Sequence, residues 1–381
     1  MTDFLLTCNA GSSSFKGVLF DRDKLKVDQR FTVDYDEKPA LNIIDSNGKA
    51  QESIKLKKPD SDSTIEALVK WLEDNGKMQN IAAVGHRIVH GGDIFTGPVW
   101  IDDKNMKEMR ALTPLAPLHQ PHNLAPIDKF KQAKPDLRQI ACFDTSFHCD
   151  ESWVARAYAV PPVLSQNHIK RYGFHGLSYE YIASCLSDVL PPDSQSRVIV
   201  AHLGSGCSAA ALHNGKSVAT TMGMTALDGL MMRTRCGTID PGAVIYLLRE
   251  KYSIDELEHI LYEESGLKGI AGGTGDMRDL LAVENENKPA KQALELFCFM
   301  AARELGGLIA ILGGVEAFIF TGAIGANSEE IRTRIMDYFK WLNRVSVLAL
   351  PTNEALAMAR HMQEMLSQEK GKNHVKAQTA A

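Results

Sequence analysis

Three short stretches place small and hydroxylic residues beside apolar runs: Asn9-Ala10-Gly11-Ser12-Ser13-Ser14, His202-Leu203-Gly204-Ser205-Gly206 and Thr321-Gly322-Ala323-Ile324-Gly325-Ala326-Asn327. Backbone N–H groups and hydroxyls crowded at such turns can surround an oxygen-rich anion, phosphate above all. The P-loop pattern G-x-x-x-x-G-K-[ST] is absent from the first, because Phe15, Val18, Leu19 and Phe20 after it are strand formers. It reads as strand, turn, strand, and a plain hairpin would use the same residues. The third follows Phe318-Ile319-Phe320 and precedes a helical pattern over 329–339. Its geometry suits close backbone approach to a flat ligand, or an ordinary strand-to-helix turn. Two acids stand where strands could deliver them: Asp144 after 139–143, and Glu354 after Leu348-Ala349-Leu350-Pro351-Thr352-Asn353. An N-cap or a solvated acid is the simpler reading of either alone. His119 and His122 form an H-x-x-H in a proline-broken stretch, but no cysteine pair supports zinc, and they are expected to line or brace a site.

The elements that must carry these residues alternate. Ser63 and Glu66 read as a capping box, Ile65, Leu68, Val69 and Leu72 follow at helical spacing, and Asn75-Gly76 ends the helix. A strand pattern over 81–92 comes next. Residues 305–326 carry one charge, Glu316, yet their glycines and β-branched end predict a buried helix, a turn and a buried strand rather than a membrane span. The stretch from Val198 repeats the first hairpin, aligning Gly11-Ser12 with Gly204-Ser205 and Leu19 with Leu212. Alternating helices and strands with an internal repeat predict an α/β chain of two similar domains, whose Gly/Ser hairpins could clasp a polyphosphate in a cleft between them.

Composition narrows the field. The 381 residues are 44% hydrophobic and 23% charged, with a net charge of −5, which leaves no basic footprint for nucleic acid. Seven cysteines without a C-x-x-C pair, and no basic, cleavable N-terminal leader, predict a reduced, cytoplasmic protein.

Ten motifs in order along nearly the whole chain carry a resemblance to the acetokinase family of the actin, hexokinase and heat-shock-chaperone ATPase superfamily. They are NAGSSSFK at 9, GHRIVHGG at 85, LAPLHQPHN at 115, FDTSFH at 143, YGFHGLSYEYIA at 172, HLGSG at 202, TMGMTALDGL at 221, TRCGTIDPG at 234, GDMRDL at 275 and PTNEALAMAR at 351. The resemblance implies two duplicated actin-like, ribonuclease H-like domains with the active site in the interdomain cleft. Residues 1–147, completed by a helix over 355–366, would form one and 148–354 the other, with a disordered tail over 367–381. It implies reversible, Mg2+-dependent phosphoryl transfer between ATP and acetate, giving acetyl phosphate and ADP in a homodimer, with Mn2+ able to replace Mg2+. Acetate is already ionised, so catalysis is a matter of charge and alignment rather than of a base.

By that resemblance Arg87 contacts the acetate carboxylate and the phosphoryl group, Arg235 stabilises the transferring phosphoryl, and His175 donates a hydrogen bond to it. Asp144 and Glu354 organise the metal, with Asn9 beside it. The acyl group would meet Val89, Leu118, Phe174 and Ala226. The nucleotide would meet Ser12, Ser14, Lys16, His202, Gly204, Ser205, Gly206, Asp276, Met277, Arg278, Gly322, Ala323, Ile324, Gly325 and Asn327. Departures from the family pattern are Ala226 for a common Pro, Ser205 for Asn, Arg233 for Gly, and Ala323 and Ala326 in the third turn. They raise propionate as an acceptor and pyrophosphate as a donor. A sugar or polyol kinase would instead use Asp144 as a base, and a non-catalytic ATP switch would not need the arginine of GHRIVHGG.

Overall fold

The computed structural model describes residues 3–35, 39–166 and 168–379, with side chains described as far as Glu369. The chain forms two compact units, the first from Met1–Ser146 and Asn353–Ala381, the second from Phe147–Thr352.

The first unit holds an eight-stranded sheet of β1 (Phe4–Ala10), β2 (Ser14–Asp21), β3 (Val27–Asp34), β4 (Ala40–Asp45), β5 (Ala50–Lys55), β6 (Ile81–Ile88), β7 (Val99–Trp100) and β8 (Gln139–Phe143), in the order β5-β4-β3-β2-β1-β6-β8-β7. All of β1 except Asn9 is buried, as its continuous apolar run requires of a strand covered on both faces. β1 and β2 form the expected antiparallel hairpin, with the Gly11 N–H donating to Ser14 O at 2.9 Å across the turn. β6 and then β8 add in parallel on the other side of β1. The helix Ser61–Asp74 packs Ile65, Leu68, Trp71 and Leu72 against Phe31, Leu41 and Ile43. Its cap is Asp60 rather than Ser63: the Asp60 carboxylate accepts from the Ser63 N–H at 2.7 Å. An acid there satisfies a free amide and also meets the positive end of the helix dipole.

The stretch with His119 and His122 is likewise a helix start rather than a broken loop. His119 caps the helix Gln120–Ala133, and Pro121 sits in its first turn, where the missing N–H costs nothing.

The second unit holds β9 (Arg197–Leu203), β10 (Cys207–His213), β11 (Lys216–Thr220), β12 (Ala317–Thr321) and β13 (Ser346–Ala349), in the order β11-β10-β9-β12-β13. That order and its strand directions repeat β3-β2-β1-β6-β8, so the repeat seen in two hairpins extends to five strands. The apolar stretch 305–326 resolves into the end of the helix Lys288–Leu312, a left-handed Gly313, and the wholly buried β12. No helix among the described residues is long and apolar enough to cross a membrane. The third small-residue stretch is itself helical: β12 runs straight into the helix Gly322–Asn327, which leads to the helix Glu329–Met336. Gly322 makes that junction at φ +78°, where a Cβ would lie 2.5 Å from Leu203 O, a conformation and an approach only glycine tolerates.

The last helix, Glu354–Thr379, returns to the first unit and buries Met358, Ala359, Met362 and Leu366 there, in contact with β1 and β6. It starts at Glu354 and runs beyond 366, so 367–379 is helix where a disordered tail was expected. Glutamine, lysine and alanine favour helix, and no proline follows Pro351 to stop it. Residues 380 and 381 lie outside the described residues.

Candidate active site

In the first unit the parallel register of β1, β6 and β8 brings Asn9, Arg87 and Asp144 to one edge of the sheet. Arg87 Nε donates to Asp144 Oδ1 and Oδ2 at 2.9 and 3.1 Å, and Nη2 to Oδ2 at 2.6 Å. Its Nη1 donates to Asn9 Oδ1 at 3.3 Å and lies 3.6 Å from Glu354 Oε2, which also accepts from Asn9 Nδ2 at 3.4 Å. The arginine side chain is 18% exposed and the Asp144 side chain 2%. Burial alone would weaken the guanidinium's hold on its proton, but the charges of Asp144 and Glu354 outweigh that and raise its pKa. Glu354 reaches this cluster from the first residue of the last helix, not from the end of a strand.

Two carboxylates against one guanidinium leave a net negative charge, and every donor besides Arg87 offers oxygen. That set fits a hard divalent cation such as Mg2+ or Mn2+, which takes one or two carboxylates and completes its shell with water and phosphate. Among the described residues no group of three His, Cys, Asp or Glu could hold a metal. Val89, just past β6, is buried, with its N–H donating to Asn123 Oδ1 at 2.9 Å. Leu118 is 38% exposed, Ser12 and Lys16 are exposed, and Ser14 is half-buried.

In the second unit His175 caps the helix Gly176–Val189 in the left-handed region, φ 57°, where a non-glycine residue is strained. Its ring stacks on His202 at a centroid distance of 4.3 Å, and its Nδ1 lies 2.7 Å from Ser208 Oγ. A Cβ placed on Gly206 would lie 3.1 Å from His175 Nε2 and 3.4 Å from Arg235 Nη2. Glycine at 206 thus lets an imidazole and a guanidinium close in on the same stretch of backbone, where a side chain would crowd them, and the two together suit an anionic oxygen. Arg235 is aimed by its Nη1, which donates to Ala226 O at 2.7 Å. Phe174 is buried, and its carbonyl accepts from His148 Nε2 at 3.1 Å.

Beside this lies a cavity of about 690 Å3, bounded by Gly204, Ser205, Asp276, Met277, Arg278, Ala323, Ile324 and Asn327 among the residues predicted to hold the nucleotide. Its volume falls in the range of small-molecule sites. Arg233, Gly275, Leu281 and Ser328 complete the wall; of these Arg233 stood out in the sequence as a departure and Gly275 as the first residue of GDMRDL. Asp276 caps the helix Met277–Val283 and pairs with Arg278 at 3.0 and 3.1 Å, which holds its carboxyl down at about 2. His202 and Gly206 belong to the His175 cluster instead, while Gly322 and the buried Gly325 shape the β12 junction. Sequence reasoning missed Ser208, which ends on His175, and Tyr179, which ends on Ser208. The signal for Tyr179 was its position four residues on from His175, one helical turn away.

The chain matches the acetokinase family over residues 4–377. It is 43% identical to an acetate kinase of Rhodopseudomonas palustris strain TIE-1, covering 95% of this chain and 98% of that one. Two solved structures are similar: a propionate kinase from Francisella tularensis at 31% identity and TM-score 0.88, covering 94% of this chain and 98% of that one, and the acetate kinase of Entamoeba histolytica at 32% and 0.84, covering 95% and 99%. A match of this length, on a duplicated α/β fold that carries the motif arginines, makes this chain a member of the acetokinase family.

Proposed function

We propose that this phosphotransferase moves the γ-phosphoryl group of ATP reversibly to the carboxylate of acetate, giving acetyl phosphate and ADP by direct in-line transfer. The observation that carries the reading is the Arg87 cluster. A polyol acceptor needs a base at its hydroxyl, whereas here the acid, Asp144, is paired with the Arg87 guanidinium, a cation that matches an acceptor which is already an anion. Acetate needs no base. It needs its repulsion from the polyphosphate relieved, and a guanidinium fork is matched to both anions.

Arg87 would hold the acceptor carboxylate and the phosphoryl group, while Asp144 keeps the guanidinium oriented. Arg235 and His175, which converge beside Gly206, would bind the equatorial oxygens, and charge spreading onto those oxygens in the transition state would strengthen both bonds. Asn9, Asp144 and Glu354 would hold Mg2+, which when bound neutralises and aligns phosphate oxygens. Val89, Leu118, Phe174 and Ala226 would meet the methyl group. The 690 Å3 cavity would take the nucleoside, with Ser12, Ser14 and Lys16 toward the phosphates. Propionate is a second acceptor on this reading, favoured by the small Ala226 and by the similarity to a propionate kinase. The exposed Trp153, Val154, Ile245, Tyr246 and Ile254 of the second unit support pairing of two copies, which sedimentation would register as a doubled mass.

Trapping of acyl phosphate by hydroxylamine, with purified protein, acetate, ATP and Mg2+, tests the function. Hydroxamate formation is expected. Its absence with acetate and propionate alike, alongside turnover of a sugar, would replace the reading.

A further inference from the structure

Tyr179 and Ser208 touch none of the substrates assigned above, yet both are completely buried, Ser208 against His175 and Tyr179 against Ser208. Ser208 Oγ lies 2.7 Å from His175 Nδ1 and 2.5 Å from the Tyr179 hydroxyl. Every bond in such a chain needs one donor and one acceptor, and a serine oxygen can accept twice but donates only once.

The Tyr179 end is decided. Burial pushes the phenol pKa up, so it keeps its proton. The His202 backbone amide near it is a donor, which leaves Ser208 Oγ as the acceptor. Having accepted from Tyr179, Ser208 directs its single proton to His175 Nδ1. That nitrogen then carries the lone pair, and the imidazole proton sits on Nε2. Were His175 Nδ1–H the donor instead, Ser208 Oγ would accept from both sides, and its own buried proton could go to neither the imidazole nor the phenol. Stacking on His202, whose own Nδ1 is held by Ser178 Oγ at 2.9 Å, fixes the plane of the same ring.

We infer that Tyr179 and Ser208 are positioning residues that hold His175 as its Nε2–H tautomer, so that it presents a neutral donor toward the space beside Gly206 and Arg235. The inference rests on the reading that His175 meets the transferred phosphoryl group. A ring with its proton on Nδ1 would turn a lone pair toward that anion and repel it.

The test uses the full chain with 15N-labelled histidine and no substrate, in wild type, Tyr179→Phe, Ser208→Ala and Ser208→Thr. His175 in the wild type should show a protonated-type Nε2 and an unprotonated-type Nδ1. Tyr179→Phe and Ser208→Ala should each move the two shifts toward a common average and lower kcat by about tenfold or more, with KM for acetate and ATP within about twofold. Ser208→Thr keeps a hydroxyl and should restore both readouts. Melting temperature shows which variants are folded, and either of the first two suffices. A proton on Nδ1 in the wild type, or unchanged ring shifts in a folded Tyr179→Phe or Ser208→Ala, would overturn the inference. A wild type that makes no acyl phosphate but shows the expected ring shifts would instead count against the functional reading alone.

Discussion

Arg87 and Asp144 meet edge to edge, Nε and Nη2 of the one facing both oxygens of the other at 2.6–3.1 Å, with the acid sealed from solvent. The pair fixes a guanidinium before any ligand arrives, so its direction need not be set at the moment of reaction. A buried acid of this kind depends on its partner, because removing one member strands the other's charge.

Replacing Arg87 by Ala should therefore lower kcat by about a hundredfold or more and also lower the melting temperature, whereas Arg235→Ala should cost the same in kcat with little change in melting. Arg87→Lys keeps the charge without the fork and should recover stability better than turnover. Hydroxamate assays beside thermal melts separate these effects. Near-normal turnover in both alanine variants would remove the proposed roles.

A substitution at Ala226 can separate its contact with Arg235 from the acyl-pocket role proposed for it. Its carbonyl holds Arg235, while its methyl borders the expected acyl site. Ala226→Pro keeps the carbonyl and adds bulk, so acetate turnover should persist while propionate loses by about 1 kcal/mol, or some fivefold in kcat/KM, the scale of one methylene. An unchanged acetate-to-propionate ratio would show that position 226 does not shape acceptor choice.

The donor should be a nucleoside triphosphate with loose choice of base. Ala323 and Asn327 line the cavity, and the side-chain amide of Asn327 donates to Ala323 O at 2.8 Å, closing the helix on itself rather than reaching for a base. GTP should then work within about tenfold of ATP, a gap of roughly 1.4 kcal/mol. A panel of ATP, GTP and pyrophosphate at fixed acetate and Mg2+ checks this. Turnover with pyrophosphate and none with either nucleotide would reverse the assignment.

His86 predicts an acid-side weakness. It lies on β6 beside Arg87, fully buried, with Nε2 on Gln139 Oε1 at 2.8 Å and no hydrogen-bond partner for Nδ1. Burial holds its pKa down at about 4, against 6.5 for an exposed ring. The unfolded chain thus takes up the proton first. Stability is full above about pH 6.5 and falls as the pH drops toward about 4, by up to about 3 kcal/mol. Urea midpoints of wild type and His86→Asn should converge across that window. Parallel curves would mean that the ring is not the sensor.

The sequence made the motifs legible because each arginine, hydroxyl or glycine lies in a distinctive short word, and the hairpins because glycine and serine interrupt apolar runs. It misled where two local rules competed for the same residues. Ser63 with Glu66 satisfies the capping pattern, yet the helix starts earlier, where Asp60 accepts from the Ser63 N–H. Pro121 looks like a break and serves as a helix start. Gly322 to Asn327 looks like a turn because nothing local says that Leu203 O lies against it. The Tyr179–Ser208–His175 chain joins a helix to a strand far along the sequence, and no spacing rule links Ser208 to the other two.

The first unit is also the one assembled last. Its sheet is complete by Phe143, but part of its core consists of Met358, Ala359, Met362 and Leu366, which lie past the entire second unit in the chain. On the ribosome, where domains generally fold in the order in which they emerge, the N-terminal half must wait with β1 and β6 uncovered while the continuous stretch Phe147–Thr352 is made and can fold. A chain stalled before Asn353 would expose apolar strands that the finished protein hides beneath its last helix.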